Sequence, residues 1–286
     1  MKGGLKILKR DRRDLKAGVL LKFPKLEELP KNGIGILKPL GIKDQGNDDT
    51  CAARSSDAVS EDQELVPLCD YFTFAQAKFI EGDPFDWGLQ LRSVAKSHTK
   101  AGALAQVDCP YCPTDTHNLE RDRDWNNWPQ KDELLELAQK HKKASYFSVA
   151  GPYDLFDNFR SIFYLGRNDK QSSFTGALWK QIWTHAPNGL IPKFDLDKGI
   201  FGHSFKIYDW IEIEGEPYLV AQLSNGTGIG NKGIFYFSRT TVNKELGQYG
   251  AFTFSDMPIE QAKKVGWSFW IKVLNILKIW WEEIIR

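Results

Sequence analysis

Asp44-Gln45-Gly46-Asn47-Asp48-Asp49-Thr50-Cys51 is the stretch on which the reading of this chain turns. Asp44 to Thr50 form a polar loop containing Gly46. Cys51 then opens a helix whose first turns, Ala52-Ala53-Arg54-Ser55-Ser56, are unusually small and polar. The unpaired N–H groups at a helix N-terminus carry partial positive charge and favour a thiolate over a thiol. Cys51 is therefore a candidate nucleophile; the alternative is a small buried residue.

Moving outward, Tyr71 to Glu81 reads as a helix with Tyr71, Phe74, Ala75, the Lys78 stem and Phe79 on one face, ended by Gly82 with Pro84 just beyond. Leu89 to Lys100 is a further helix, and Lys131 to Lys143 an amphipathic one. Between them, residues 105–130 are loop-rich and aromatic. The texture then changes. Tyr146–Val149, Phe174–Trp179, Phe201–Trp210, Glu216–Leu223 and Gly233–Phe237 read as strands, with a helix near Phe156–Leu165 and a glycine-rich turn at Gly226, Gly228 and Gly230. Helices first and strands second predict an α+β fold with two subdomains. The expected division is an N-terminal arm (1–43), either a propeptide or a packing extension, a helical subdomain (44–130), a β-rich subdomain (131–254) and a C-terminal amphipathic helix (255–286).

With 286 residues, 42% hydrophobic and 26% charged, the chain can bury one large core or two modest ones. A formal net charge of +1 gives no global field toward nucleic acid. The basic start (Lys2, Lys6, Lys9, Arg10, Arg12, Arg13) reads as a solvated arm. No signal peptide follows it, and no run of about 18 apolar residues predicts a spanning helix. Cys51, Cys69, Cys109 and Cys112 do not read as a disulfide framework, so a reducing compartment is expected.

The spacing of Gln45 six residues before Cys51 resembles the nucleophile loop of papain-like cysteine peptidases. Phe72 to Gly82 and Gly88 to Gly102 are similar to that family's next two helices, and Cys109-Pro110-Tyr111 to the region that follows. Gly202-His203-Ser204-Phe205-Lys206-Ile207 resembles its histidine strand. Tyr218 to Gly230 and Lys232 to Phe237 are similar to its last strands. The collinear order of glutamine, cysteine, histidine and glycine-rich turn, over roughly residues 40–240, carries the resemblance. The texture is similar to divergent phage members of the family.

The resemblance implies a two-subdomain fold with a cleft between its halves, and hydrolysis of peptide or amide bonds in a peptide or protein substrate. Cys51 would attack the carbonyl, and His203 would protonate the leaving amine. The Gln45 amide and the Cys51 N–H would hold the oxyanion, where losing one donor costs about 2.7–4 kcal/mol. Several positions depart from the family. Leu223 stands where the histidine-orienting asparagine is expected. Asn225 lies two residues on, a displacement of about 6–7 Å along a strand, so it could serve only if the strand is re-registered. Ala52 replaces an aromatic, and Asp48 and Asp49 bring negative charge that opposes thiolate formation. These departures motivate the alternative reading, a catalytically weak or inactive papain-fold interaction protein, for instance a virion component.

No cofactor or metal is expected. Cys109-Pro110-Tyr111-Cys112 is spelled like a redox site but lies in a loop, where two free thiols are the simpler reading. A zinc set joining it to Cys69 and His117 lacks a standard spacing. Arg121-Asp122-Arg123-Asp124 reads as a solvated face. From Trp267 to Arg286 a wide apolar arc fits packing onto the chain itself, docking to a protein partner or a second copy, or, least expected, a membrane interface. The expected setting is cytoplasmic, or within a virion.

Overall fold

The computed structural model describes residues 4–8, 11, 14–33, 35, 40–111, 123–193 and 198–256. Among the described residues of the arm, α1 (Ala17–Leu20) is a short α-helix. The first half then runs through α2 (Cys51–Glu64), α3 (Asp70–Glu81), α4 (Leu91–Lys100) and α5 (Lys131–Ala138). The second half follows as β1 (Ser145–Ser148), α6 (Leu155–Leu165), β2 (Ser173–Lys180), α7 (Gln181–Thr184), β3 (Gly199–Ile213), β4 (Glu216–Gln222), β5 (Ile234–Ser238), α8 (Arg239–Glu245) and β6 (Ala251–Ser255). The six strands form one antiparallel sheet in the order β1-β6-β2-β3-β4-β5. Helices followed by an antiparallel sheet make the fold α+β, as expected.

α2 is buried from Cys51 to Asp62, which explains its small residues. Large side chains would hold the neighbouring layers apart. Its serines satisfy themselves: Ser55 Oγ donates to Ala52 O at 3.0 Å and Ser56 Oγ to Ala53 O at 2.9 Å. The charges on its far end reach into both halves. Both Asp62 carboxylate oxygens accept from Lys206 Nζ of β3 at 2.9 Å, and Glu61 accepts from Lys43 at 2.8 Å. α2 thus lies between the helical layer and the sheet.

Three apolar clusters build the core. Phe72, Leu104, Trp125, Trp128 and Leu134 pack within the helical half. Phe74, Leu91, Val94, Phe174, Phe252 and Phe254 join α3 and α4 to the sheet. Phe156, Phe159, Trp179, Phe205, Trp210 and Phe237 fill the far face under α6. β6 was not expected from the sequence. It is five residues long, and it pairs with β1 (Phe147↔Thr253) and β2 (Phe174↔Phe252), so only distant partners make it a strand.

Two expectations are corrected. Cys69 and Cys109 form a disulfide, with Cα atoms 6.0 Å apart. The Leu68↔Ala105 bridge and the Cys69 N–H on Leu104 O at 2.8 Å bring them together, a proximity that spacing in sequence does not reveal. This takes Cys69 out of any zinc set and removes the basis for expecting a reducing compartment. Arg123 belongs to no solvated face: it is buried and ion-paired to Asp49 at 2.9 Å. Cys112, His117 and the apolar segment 267–286 lie outside the described residues. Among the described residues no helix is long and apolar enough to cross a membrane.

Candidate active site

Cys51 is the first residue of α2 and is fully buried. The chain turns there because Thr50 leaves the helical conformation. Its hydroxyl accepts from Arg54 Nε at 3.0 Å, while its carbonyl takes the first helical N–H. Burial pushes the thiol up to about 11. The Ser204 and Gly4 backbone N–H groups oppose this, and the Asp49 charge adds to it. Ser204 follows His203 on β3, so the sulfur sits against the histidine strand.

His203 pairs with Ala177 across β2–β3 and is fully buried against Trp179 and Phe201. Burial pulls the imidazole down to about 4, and the Asn225 side chain opposes that shift. Asn225 thus lies beside the ring and favours its cationic form, but its Oδ1 closes no hydrogen bond among the described residues. Among the described residues, neither ring nitrogen closes a hydrogen bond of ordinary geometry. β3 pairs Lys206 with Gln222 and Ile207 with Ala221, then shifts by a bulge at Tyr208. The paired residues end at Gln222; beyond it the Leu223 N–H donates to Gly233 O at 3.1 Å and Asn225 bridges Asp44. Leu223 is a core residue, 1% exposed.

Gln45 is buried beside this turn. Its N–H donates to Ser224 O at 2.7 Å, its Oε1 accepts from Ser224 Oγ at 2.6 Å, and its Nε2 donates to Asp48 O at 2.7 Å. Asp44 bridges Asn225 directly. The glutamine loop and the Asn225 turn are therefore one hydrogen-bonded unit. The acidic pair in this loop is compensated. Asp48 accepts from Tyr71 Oη at 2.8 Å, and Asp49 accepts from Arg123 at 2.9 Å and from the Gly88 N–H at 2.7 Å.

The arm lies against both halves beside Cys51. Gly4 N–H points at Cys51 Sγ at 3.3 Å. Leu5 N–H donates to Gly202 O at 3.2 Å, one residue before His203. Leu89 N–H donates to Gly4 O at 2.8 Å, and Leu89 O accepts from Lys6 N–H at 2.9 Å. Lys6 Nζ is ion-paired to Glu81 at 2.8 Å and to Asp86 at 2.7 Å, so this part of the basic start is no solvated arm. Sequence reasoning missed Gly4, Leu5, Leu89 and Arg123 as site residues. A signal existed in the strand glycines, which often mark close backbone approach. A Cβ at Gly176 would meet Leu5 Cδ2 at 2.1 Å, and one at Gly202 would meet Leu5 O at 2.5 Å.

Comparison with known structures bears on the fold. Xylellain, a cysteine protease from Xylella fastidiosa, aligns with a TM-score of 0.72 at 18% identity, over 89% of this chain and 96% of its own. A procathepsin B from Trypanosoma congolense gives 0.64 at 13% identity, over 88% and 86%. A digestive procathepsin L 3 from Tenebrio molitor gives 0.58 at 12%, over 85% and 76%. No family model and no curated protein matches the sequence. The chain has the papain-like fold of cysteine proteases. At these identities the likeness is one of fold.

Proposed function

We propose that this chain is a cysteine peptidase kept latent by its own N-terminal arm. The supporting observation is the seat of Gly4 and Leu5, which bind Cys51 Sγ and the carbonyl beside His203 through main-chain groups. A segment held that way uses hydrogen-bonding positions that a peptide substrate would need. It offers the sulfur an N–H, not a carbonyl, so it blocks without being attacked. Buried under the arm, the thiol is held protonated and the imidazole neutral. Once the arm leaves, water returns, the burial shifts relax, and proton transfer from Cys51 to His203 becomes accessible. In this reading Asn225 orients the imidazole, while the Gln45 amide and the Cys51 N–H hold the oxyanion. The substrate is a peptide or protein.

The test is thiol-directed epoxide labelling of the full chain and of Leu5→Glu, read by peptide mass. Burying a carboxylate among Gly176, Gly202 and Leu89 would expel the arm. Leu5→Glu should label at Cys51 at least about tenfold faster and cleave unfolded protein substrates, and His203→Ala in that background should abolish both. A second reading, a papain-fold interaction protein without catalysis, is favoured by the full burial of Cys51 and by the imidazole nitrogens that close no hydrogen bond. Slow labelling and no cleavage with the arm displaced would establish it.

A further inference from the structure

The nucleophile loop carries a negative charge that the proposed chemistry does not use. Asp49 is fully buried two residues before Cys51, and its carboxylate raises the thiol pKa. Its two oxygens have separate duties. Oδ2 accepts the Gly88 N–H at 2.7 Å, and Oδ1 accepts from Arg123 Nη2 at 2.9 Å. Gly88 precedes Leu89, whose backbone groups grip the main chain in the cleft. The approach is close: a Cβ on Gly88 would meet Gly4 O at 2.5 Å. Asp49 therefore ties the peptide-gripping edge of the cleft to the loop that carries the sulfur.

That tie has an electrostatic cost for a nucleophile, and Arg123 is placed to offset it. Its guanidinium is buried over the Phe74 ring at 5.6 Å, and its Nη1 donates to Phe85 O at 3.3 Å on the same edge. Lys78 lies 5.5 Å from that ring and donates from Nζ to Gly88 O at 2.6 Å and also to Asp86 O. The groups facing the thiol are the Gly4, Ala52 and Ser204 N–H groups and the Asp49 carboxylate. Those facing Asp49 are Arg123, the Gly88 N–H and Lys78. We infer that Asp49 and Arg123 are a pair of positioning residues for Cys51: Asp49 fixes the Gly88–Leu89 edge relative to the sulfur, and Arg123 offsets part of the field that Asp49 imposes on the thiol. This rests on the reading of Cys51 as the nucleophile.

The test uses opposite signs. A clamp that is only structural weakens in the same direction whichever partner is removed. A charge pair acting on the thiol responds oppositely. In the full-length chain, alkylation of Cys51 by iodoacetamide is followed by peptide mass across pH, with near-ultraviolet circular dichroism as the check on folding. Asp49→Asn leaves the Arg123 cation unopposed and should shift the pH profile of labelling about one unit down, near tenfold faster at fixed pH. Arg123→Gln should shift it up by a similar amount. Asp49→Asn combined with Arg123→Gln should lie between them. If Arg123→Gln does not fold, the comparison of Asp49→Asn with the double variant still decides: equal rates overturn the inference, as do single variants that move together or not at all. The readout needs no turnover. A chain with no peptidase activity but this order of labelling keeps the charge pair and loses the functional reading; activity without the order does the reverse.

Discussion

The backbone amide of Gly4 lies 3.3 Å from Sγ of Cys51, so the chain's own N-terminal arm occupies the position at which its candidate nucleophile would act. The contact is made by the main chain, and the neighbouring Leu5 and Lys6 amides bind the cleft in the same way. Occupancy should therefore depend on how closely the backbone can approach, more than on the identity of the side chains at the tip.

Gly4 tests this directly. A Cβ at that position would meet the Asp49 carbonyl oxygen at 1.9 Å, which backbone cannot yield. Gly4→Ala is expected to unseat the arm tip while leaving the core unchanged, raising the epoxide labelling rate of Cys51 at least about tenfold with little change in unfolding midpoint. An unchanged rate would show that the arm does not guard the thiol.

Acid should loosen the same seat. The His203 imidazole is held near 4 by burial, against about 6.5 for an exposed histidine. A native value below the open-state value means that opening takes up a proton. This contribution to the seated arm is therefore complete above about pH 6.5 and is lost as pH falls toward 4. Hydrogen exchange at Leu5 and Lys6, corrected for intrinsic rates, should show growing exposure across that window. Asp57, Glu61 and Asp62, whose values burial raises, also respond to pH, so the decisive comparison is with His203→Gln. The same pH response in that variant would remove the histidine from the account.

Lys206 and Asp62 join β3 to α2, each side chain 1% exposed. Removing one partner strands a buried charge, so Lys206→Met should cost about 3–5 kcal/mol in chemical denaturation. Lys206→Met combined with Asp62→Leu should recover most of that loss. A small effect of the single variant would mean that water reaches the pair.

The Cys69–Cys109 disulfide closes a sequence separation of 40 residues around α3 and α4. Chain-entropy reasoning gives about 4 kcal/mol for such a loop. Cys69→Ser should lower stability by that order, and intact mass without reductant should show the parent two hydrogens lighter than after reduction. Equal masses would show that both thiols are free.

Asn225→Ala removes the side chain that favours the cationic imidazole. In the Leu5→Glu background, the labelling rate of Cys51 should fall severalfold, with its pH profile displaced along with the imidazole. Asn225→Asp should restore part of the rate. No change in either variant would leave His203 oriented by packing against Trp179 alone.

The amino-acid sequence by itself determined the order of helices and strands, the helix start at Cys51, the strand carrying His203 and the glutamine loop before the cysteine. Each is written in local periodicity, in turn residues, or in spacing along a few residues. The tertiary structure alone decided that the Asn225 side chain lies beside His203 while Leu223 is buried in the core, because both positions depend on strands brought together from distant parts of the chain. It alone decided the pairing of Cys69 with Cys109 and the strand at Ala251–Ser255, whose partners are distant in the chain. It alone showed Arg123 buried against Asp49: a charged run reads as solvated until another loop brings its counter-ion. The seat of Gly4 on Cys51 is the extreme case, since a contact made by backbone N–H and C=O groups, which nearly every residue carries, leaves no side-chain pattern to read.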